Sequence, residues 1–416
     1  MGVIDIFEKA VEEKGILLNP SVLSDTYVPE KLLFRDEEIG KIARNLAKFF
    51  KSDYPDNTLI FGPPGTGKTH AIKMVSRDYN AFAREKGFPS QAVYVNAKDK
   101  SYFQVLVELL HSLGIEFPSR GFGVGEAVSA LADHLKGLEG TYIFIFDEID
   151  KMKRTSRDNE DPMNALIYRM SRLDELTGEL KTAFVVISNR GDIMQRLEYF
   201  TRSKFIPEIV YFREYDAREI AEILHDRVEK AFIEGTVSED AINYLAALIK
   251  QGGKDLRWGF RVLKEAAELA KDKLTREEIN RAIEVVERNM LQEAIKGLDV
   301  TQLLVLYSVA LMEDSGNVPR TGHVYSAYKL LCEKLNYPSR TMRHITHFVV
   351  PKLETQGLMT VSEKSFGRGK GRSLVYHIDE EPVKILSLIE NELAIRLGTT
   401  VRHATDEDIL RFYREW

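Results

Sequence analysis

The chain has 416 residues, 44% of them hydrophobic and 29% charged, and its 58 basic and 64 acidic side chains leave a net charge of −6. That length suggests about three domains, the single cysteine (Cys332) excludes an intramolecular disulfide and fits a reducing cytosol, and apolar runs as short as Tyr142–Phe146 exclude a membrane-spanning helix. The start, Met1-Gly2-Val3-Ile4-Asp5, lacks the basic opening of a signal peptide, so a cytoplasmic protein is expected, and the acidic balance excludes a uniformly basic DNA coat while allowing a local basic patch.

In chain order, a loose opening leads to a helix near Glu37–Lys51. From 58 to 212, apolar strands at Thr58–Phe61, Ala92–Asn96, Tyr142–Phe146, Ala183–Ser188 and Glu208–Phe212 alternate with amphipathic helices. That alternation predicts a doubly wound parallel α/β sheet. Residues 214–295 read as helices only: Ala217–Glu229, Ser238–Lys250, Leu256–Lys271 and Arg276–Asn289, with Ser238 and Thr275 placed as N-caps. After the break at Lys296-Gly297 come three helices (Val300–Met312, Thr321–Leu335, Ser339–Val349) and two strands (Met359–Glu363, Leu374–Ile378) around a glycine-rich turn. Leu397–Trp416 reads as a polar tail with one amphipathic helix. The predicted boundaries are an N-terminal segment 1–25, a nucleotide-binding core 26–213, an all-helical lid 214–296, a C-terminal unit 297–392 and a tail 393–416.

Gly62-Pro63-Pro64-Gly65-Thr66-Gly67-Lys68-Thr69 fits the phosphate-loop pattern and stands between a strand and the helical stretch that opens at His70. Its glycines let backbone N–H groups curl around phosphates, Lys68 reaches the β- and γ-phosphates of ATP or ADP, and the Thr69 hydroxyl can ligate Mg2+. About 80 residues later the strand at Tyr142–Phe146 ends in Asp147 and Glu148, at the sheet edge where ligands bind. Asp147 is expected to hold the magnesium, and Glu148 to polarise the attacking water as general base. Asp150 is expected to be structural or solvated rather than catalytic. A third strand ends in Ser188-Asn189, and Asn189 is expected to position the water or touch the γ-phosphate.

The phosphate loop, the Asp-Glu strand, the Ser-Asn strand end and a helical lid resemble AAA+ ATPases. Asp147-Glu148-Ile149-Asp150-Lys151 followed by Leu166–Arg172 resembles the archaeal replication-initiator family, related to the first origin recognition complex subunit and to the cell-division-control helicase loader. Tyr27-Val28-Pro29 with Phe34-Arg35-Asp36, Gly253–Arg257 and Thr321–Tyr328 resemble further motifs of that family. The resemblance implies that Arg257 contacts the γ-phosphate, that Tyr27, Val28, Arg35 and Tyr215 lie at the nucleotide, and that the helical insertion near Arg120 can touch DNA. The family's arginine finger falls on Phe200 without a gap, and Arg202 offers a substitute two residues on. Slow hydrolysis is therefore expected, since a finger supplies about 10³–10⁵ in rate.

Three helices plus a two-stranded ribbon make a winged helix, whose third helix can enter the major groove. The third helix is expected to be capped by Ser339, to bury a stripe of Met342, Ile345, Phe348 and Val349, to present Arg340 and Arg343, and to end or kink at Pro351. Residues 339–377 hold seven cations against two carboxylates, and Arg368, Lys370 and Arg372 alternate with glycines in the turn, as suits phosphate or minor-groove contact. Together with the family resemblance, these features imply an ATP-dependent initiator acting on double-stranded origin DNA, with the replicative helicase and other copies or paralogues of the initiator as partners. Two alternatives stand beside it: a DNA-binding regulator with a vestigial ATPase, and a loader ATPase whose winged helix binds protein.

Overall fold

Each central strand carries two apolar faces, because the sheet is covered on both sides. A computed structural model describes residues 15–24, 26–51, 56–136, 140–155, 160–177, 181–365 and 372–398. Strands β1 (Thr58–Phe61), β2 (Ser90–Asn96), β3 (Thr141–Asp147), β4 (Lys181–Ser188) and β5 (Glu208–Tyr211) form one parallel sheet in the order β2-β3-β4-β1-β5. Ile60, Ile143, Ile145, Val185 and Ile187 pack on one side against α1 (Asp36–Leu46) and α2 (Lys68–Lys86). Leu59, Phe144, Phe146, Phe184 and Val186 pack on the other against α3 (Tyr102–Ser112), α4 (Val124–Lys136) and α5 (Pro162–Met170). Burial on both faces is why these strands read as unbroken apolar runs. Three short helices follow in the core: α6 (Leu173–Thr177), α7 (Ile193–Arg196) and α8 (Tyr199–Lys204).

The register brings the strand ends level. Asn96 pairs with Asp147, and Phe61 with Ser188. The residues that follow β1, β3 and β4 therefore emerge together at the C-terminal edge.

The lid comprises α9 (Ala217–Ala231), α10 (Glu239–Gln251), α11 (Leu256–Leu269) and the start of α12 (Arg276–Lys296). Asp216, Ser238 and Asp255 cap the first three by accepting the N–H of Glu219, Ala241 and Trp258. Caps of this kind contribute ~1 kcal/mol each. The N-terminal segment belongs with the lid: Leu18 and Asn19 donate to the Ala231 carbonyl, and Leu17 bridges Phe232.

A second compact unit begins at Ile283, inside α12. Its helix α13 (Val300–Asp314) is buried from Thr301 to Met312 and forms the centre of the core, with α14 (Thr321–Lys334) beside it. Cys332 is buried there, as a small apolar residue would be. Strands β6 (Thr360–Ser365) and β7 (Arg372–His377) pair antiparallel.

The third helix of this unit departs from expectation. It starts as α15 (Met342–His344), capped by Thr341 and not Ser339. It then passes through a π-helical turn, Ile345–Val349, into α16 (Val350–Thr355), so Pro351 does not end it. Proline has no N–H and its ring crowds the carbonyl four residues back. The wider turn, with Val350 donating to Ile345, accommodates both. Ile345 and Val349 are buried, but Met342, at the first position of the helix, and Phe348, within the wider π turn, are exposed, which breaks the predicted stripe. A further helix, α17 (Pro382–Leu397), packs its Ile385, Ile389 and Leu393 into the same core, where the sequence pattern suggests none. It runs across the expected boundary at 393. Most of the expected tail helix lies outside the described residues.

Candidate functional site

Gly62 follows β1 with no room for a side chain: a Cβ there would lie 2.1 Å from the Phe212 carbonyl oxygen. At Gly65, with φ +73°, a Cβ would lie 2.6 Å from the Asp255 Cβ of the lid. The loop can therefore pass closely between sheet and lid only as glycine. It turns into α2, whose first residues are Lys68, Thr69 and His70. Lys68 is buried, and its Nζ donates to the carbonyls of Gly62 (2.7 Å) and Pro63 (2.6 Å). Burial lowers the Lys68 ammonium to about 8, against an opposing pull from Asp147.

The Thr69 hydroxyl donates to Asp147 Oδ2 at 2.7 Å, and Tyr94 OH donates to the same oxygen at 2.8 Å. Burial, then the nearby Asp147 charge, raises the Tyr94 phenol, which stays a donor. Glu148 occupies a left-handed backbone position with φ 53°, and its Oε2 is buried without a hydrogen-bond partner among the described residues. Strain of this kind costs about 1–3 kcal/mol. Asp150 is structural, as expected: its Oδ1 accepts the Asn189 N–H at 3.1 Å.

One cavity gathers Val28, Gly65, Thr66, Gly67, Lys68, Thr69, His70, Asp147, Glu148, Asn189, Tyr215 and Arg257, all expected at the nucleotide. It also contains Asn96, Lys73 and Arg227, which the sequence did not single out. Asn96 is there because β2 ends level with Asp147. Arg227 had a legible signal: it lies on the face of α9 that otherwise buries Ile220, Ile223, Leu224, Val228 and Ala231.

Arg35 corrects the expectation of a nucleotide ligand. It is fully buried and does not line the cavity. Its guanidinium donates to the carbonyls of Thr66 (3.0 Å) and Arg213 (2.6 Å), pairs with Glu38 and stacks 3.8 Å from the Tyr215 ring centre. It braces the phosphate loop from behind. Tyr27 also stands outside the lining, beneath Arg227, and Gly62, Pro63 and Pro64 shape the loop without lining the cavity. Arg202 is exposed on α8, outside the cavity, beside exposed Tyr199 and Phe200.

Chemically, the cavity can hold a polyphosphate with a hard cation. Thr69 Oγ1 and Asp147 Oδ2 are adjacent oxygen donors of the kind Mg2+ takes. The buried Glu148 oxygen beside them fits a group that presents a proton. Of the expected DNA contacts, Arg120 is exposed on the loop between α3 and α4, and Arg340 and Arg343 are exposed at the start of α15. Arg368 and Lys370 lie outside the described residues, as does the Arg372 side chain.

Residues 58–212 match the ATPase family associated with various cellular activities (AAA), 221–284 the Cdc6 AAA+ ATPase-type lid domain, and 293–387 the CDC6 C-terminal winged helix domain. An ORC1-type DNA replication protein of Pyrococcus abyssi is 30% identical over 406 residues, spanning 95% of each chain. ORC1-type DNA replication protein 1 of Aeropyrum pernix is 30% identical over 400 residues, spanning 94% of this chain and 99% of the relative. The structure of the Aeropyrum pernix ORC1 protein in complex with DNA superposes with a TM-score of 0.82 at 28% identity, covering 92% of this chain and 99% of that one. Cdc6p of Pyrobaculum aerophilum shares the fold, with a TM-score of 0.56 at 20% identity.

Proposed function

Because the chain belongs to the ORC1-type family of AAA+ DNA replication proteins, related to Cdc6, we propose that it is an ATP-dependent initiator that binds origin duplex DNA and, under nucleotide control, helps recruit the replicative helicase. The observation that carries this reading is the match along 92% of the chain, through core, lid and winged helix in order, to a relative whose structure is a DNA complex.

In this reading the phosphate loop and the start of α2 cradle the β- and γ-phosphates, with Lys68 released from its carbonyls to meet them. Thr69 and Asp147 hold magnesium, which when bound neutralises charge on the phosphates. Glu148 accepts the proton of the attacking water, Asn189 orients that water, and Arg257 meets the γ-phosphate from the lid. Turnover is slow, because α8 presents aromatic side chains where a finger would stand and Arg202 is displaced from that position. Bound nucleotide then serves as a state marker. Arg340 and Arg343, the wing residues Arg368, Lys370 and Arg372, and Arg120 of the insertion contact DNA.

The test is retention of fragmented genomic DNA from the source by the ATP-loaded protein at physiological salt, followed by sequencing. Enrichment at one or a few loci, abolished in the Arg340→Ala/Arg368→Ala/Arg372→Ala variant, is expected. Uniform or absent retention would overturn origin recognition by this chain.

A further inference from the structure

Arg227 is the one charged residue on the buried face of α9 besides the paired Glu219. It is 6% exposed, and its Nη1 is buried with no hydrogen-bond partner among the described residues. The guanidinium lies 4.4 Å from the Tyr27 ring centre and 5.3 Å from that of Phe260. Its sequence neighbour Asp226 pairs with Lys230 instead. Two rings hold the cation in place; the Asp226 charge is felt there, but among the described residues no carboxylate forms an ion pair or hydrogen bond with it. A buried guanidinium with an open donor is costly to keep, and this one faces the cavity that also contains Lys68 and Arg257.

The two lid arginines enter that cavity from different helices, Arg257 from α11 just after Asp255, which packs on the phosphate loop at Gly65, and Arg227 from α9. The charge of Arg257 is felt at Lys68. Arg227 stands instead with the N-terminal segment, over the Tyr27 ring, whose neighbours Val28 and Pro29 line the cavity. The unsatisfied donor is cationic, so its natural complement is an anion, and the charge-assisted hydrogen bond that results is the strong kind.

We infer that Arg227 is the lid's anchor for the ribose-proximal phosphate, the part of the ligand that ADP and ATP share. This rests on the reading of the cavity as a nucleotide site. Arg257 then distinguishes ATP from ADP, while Arg227 retains either. Because Arg227 is stacked on Tyr27, the retained nucleotide also holds the N-terminal segment against the lid in both states.

The test uses the full chain and titrates ADP and a non-hydrolysable ATP analogue by calorimetry, with thermal melts of the nucleotide-free proteins. Arg227→Met keeps the length of the stem and its packing. It should weaken both ligands alike, by about ten- to a hundredfold, and leave their affinity ratio unchanged. Arg227→Lys should recover part of the loss. Arg257→Met should weaken the ATP analogue more than ADP. The nucleotide-free Arg227→Met protein should melt at or above the wild-type temperature, since it loses an unpaired buried charge. Wild-type ADP affinity in Arg227→Met would overturn the inference, as would a melting temperature lowered without ligand, which marks a merely structural arginine. Failure of the wild type to bind either nucleotide would instead sink the reading of the cavity, and the inference with it.

Discussion

Lys68 combines two demands at one atom: its ammonium must meet phosphate, yet it is buried among the loop's own carbonyls. Burial brings it to about 8 from 10.5, and a bound polyphosphate opposes that shift. As pH rises through about 8, the nucleotide-free protein loses the Lys68 proton while the complex keeps it. Nucleotide affinity should therefore be level below that pH and fall above it, by up to about tenfold per pH unit. ADP titrations between pH 7 and 9.5 check this, with Lys68→Arg expected to flatten the profile. A wild-type affinity constant across that range would contradict it. The roles of Lys68, Thr69 and Asp147 are legible in sequence because a phosphate loop is local chemistry, written in eight consecutive residues. That of Arg35 is not, since one arginine in sequence resembles another until its partners are known, and Arg227 shows only that it stands on the apolar face of its helix.

Among elements, Arg35 has the widest reach. It precedes α1 and joins that helix to the phosphate loop through the Thr66 carbonyl, and to the start of the lid through the Arg213 carbonyl and the Tyr215 ring. Replacing it with methionine leaves three carbonyls, of Phe34, Thr66 and Arg213, and the Glu38 carboxylate without their donor. Arg35→Met should lower the unfolding free energy by about 3–5 kcal/mol, the usual range for breaking a buried ion pair from one side, read from urea denaturation of the nucleotide-free protein. A loss below about 1 kcal/mol, the range of an exposed pair, would show that the brace is dispensable. The family resemblance puts Arg35 at the nucleotide. It stands one layer behind, shaping the loop that does the binding.

The molecule as a whole has a net charge of −6, while residues 339–377 carry seven cations against two carboxylates. On the proposed function, attraction to DNA is local, since charges further away than a Debye length are screened at physiological salt. DNA affinity should fall steeply with salt, and Arg340→Ala/Arg343→Ala should lower the slope of log affinity against log salt by roughly one for each phosphate that is no longer neutralised. Affinity measured between low and physiological salt tests this. An unchanged slope would remove these arginines from the interface. Exposed Phe348, stacked on His344, and exposed Met342 add apolar surface beside these arginines.

Taken alone, the amino-acid order determined the strands of the core to within two residues, the phosphate loop, the acidic end of β3 and the order of the three parts, because hydrophobic period and glycine-lysine chemistry act over a few residues. Tertiary structure decided the rest. Strand register brought Asn96 level with Asp147, and the buried face of α9 carried Arg227 into the cavity. The π turn before Pro351 and the packing of α17 onto α13 depend on residues distant in the chain. These features arise from packing that exists only once the sheet, the lid and the second core have closed, so no local window of sequence contains them.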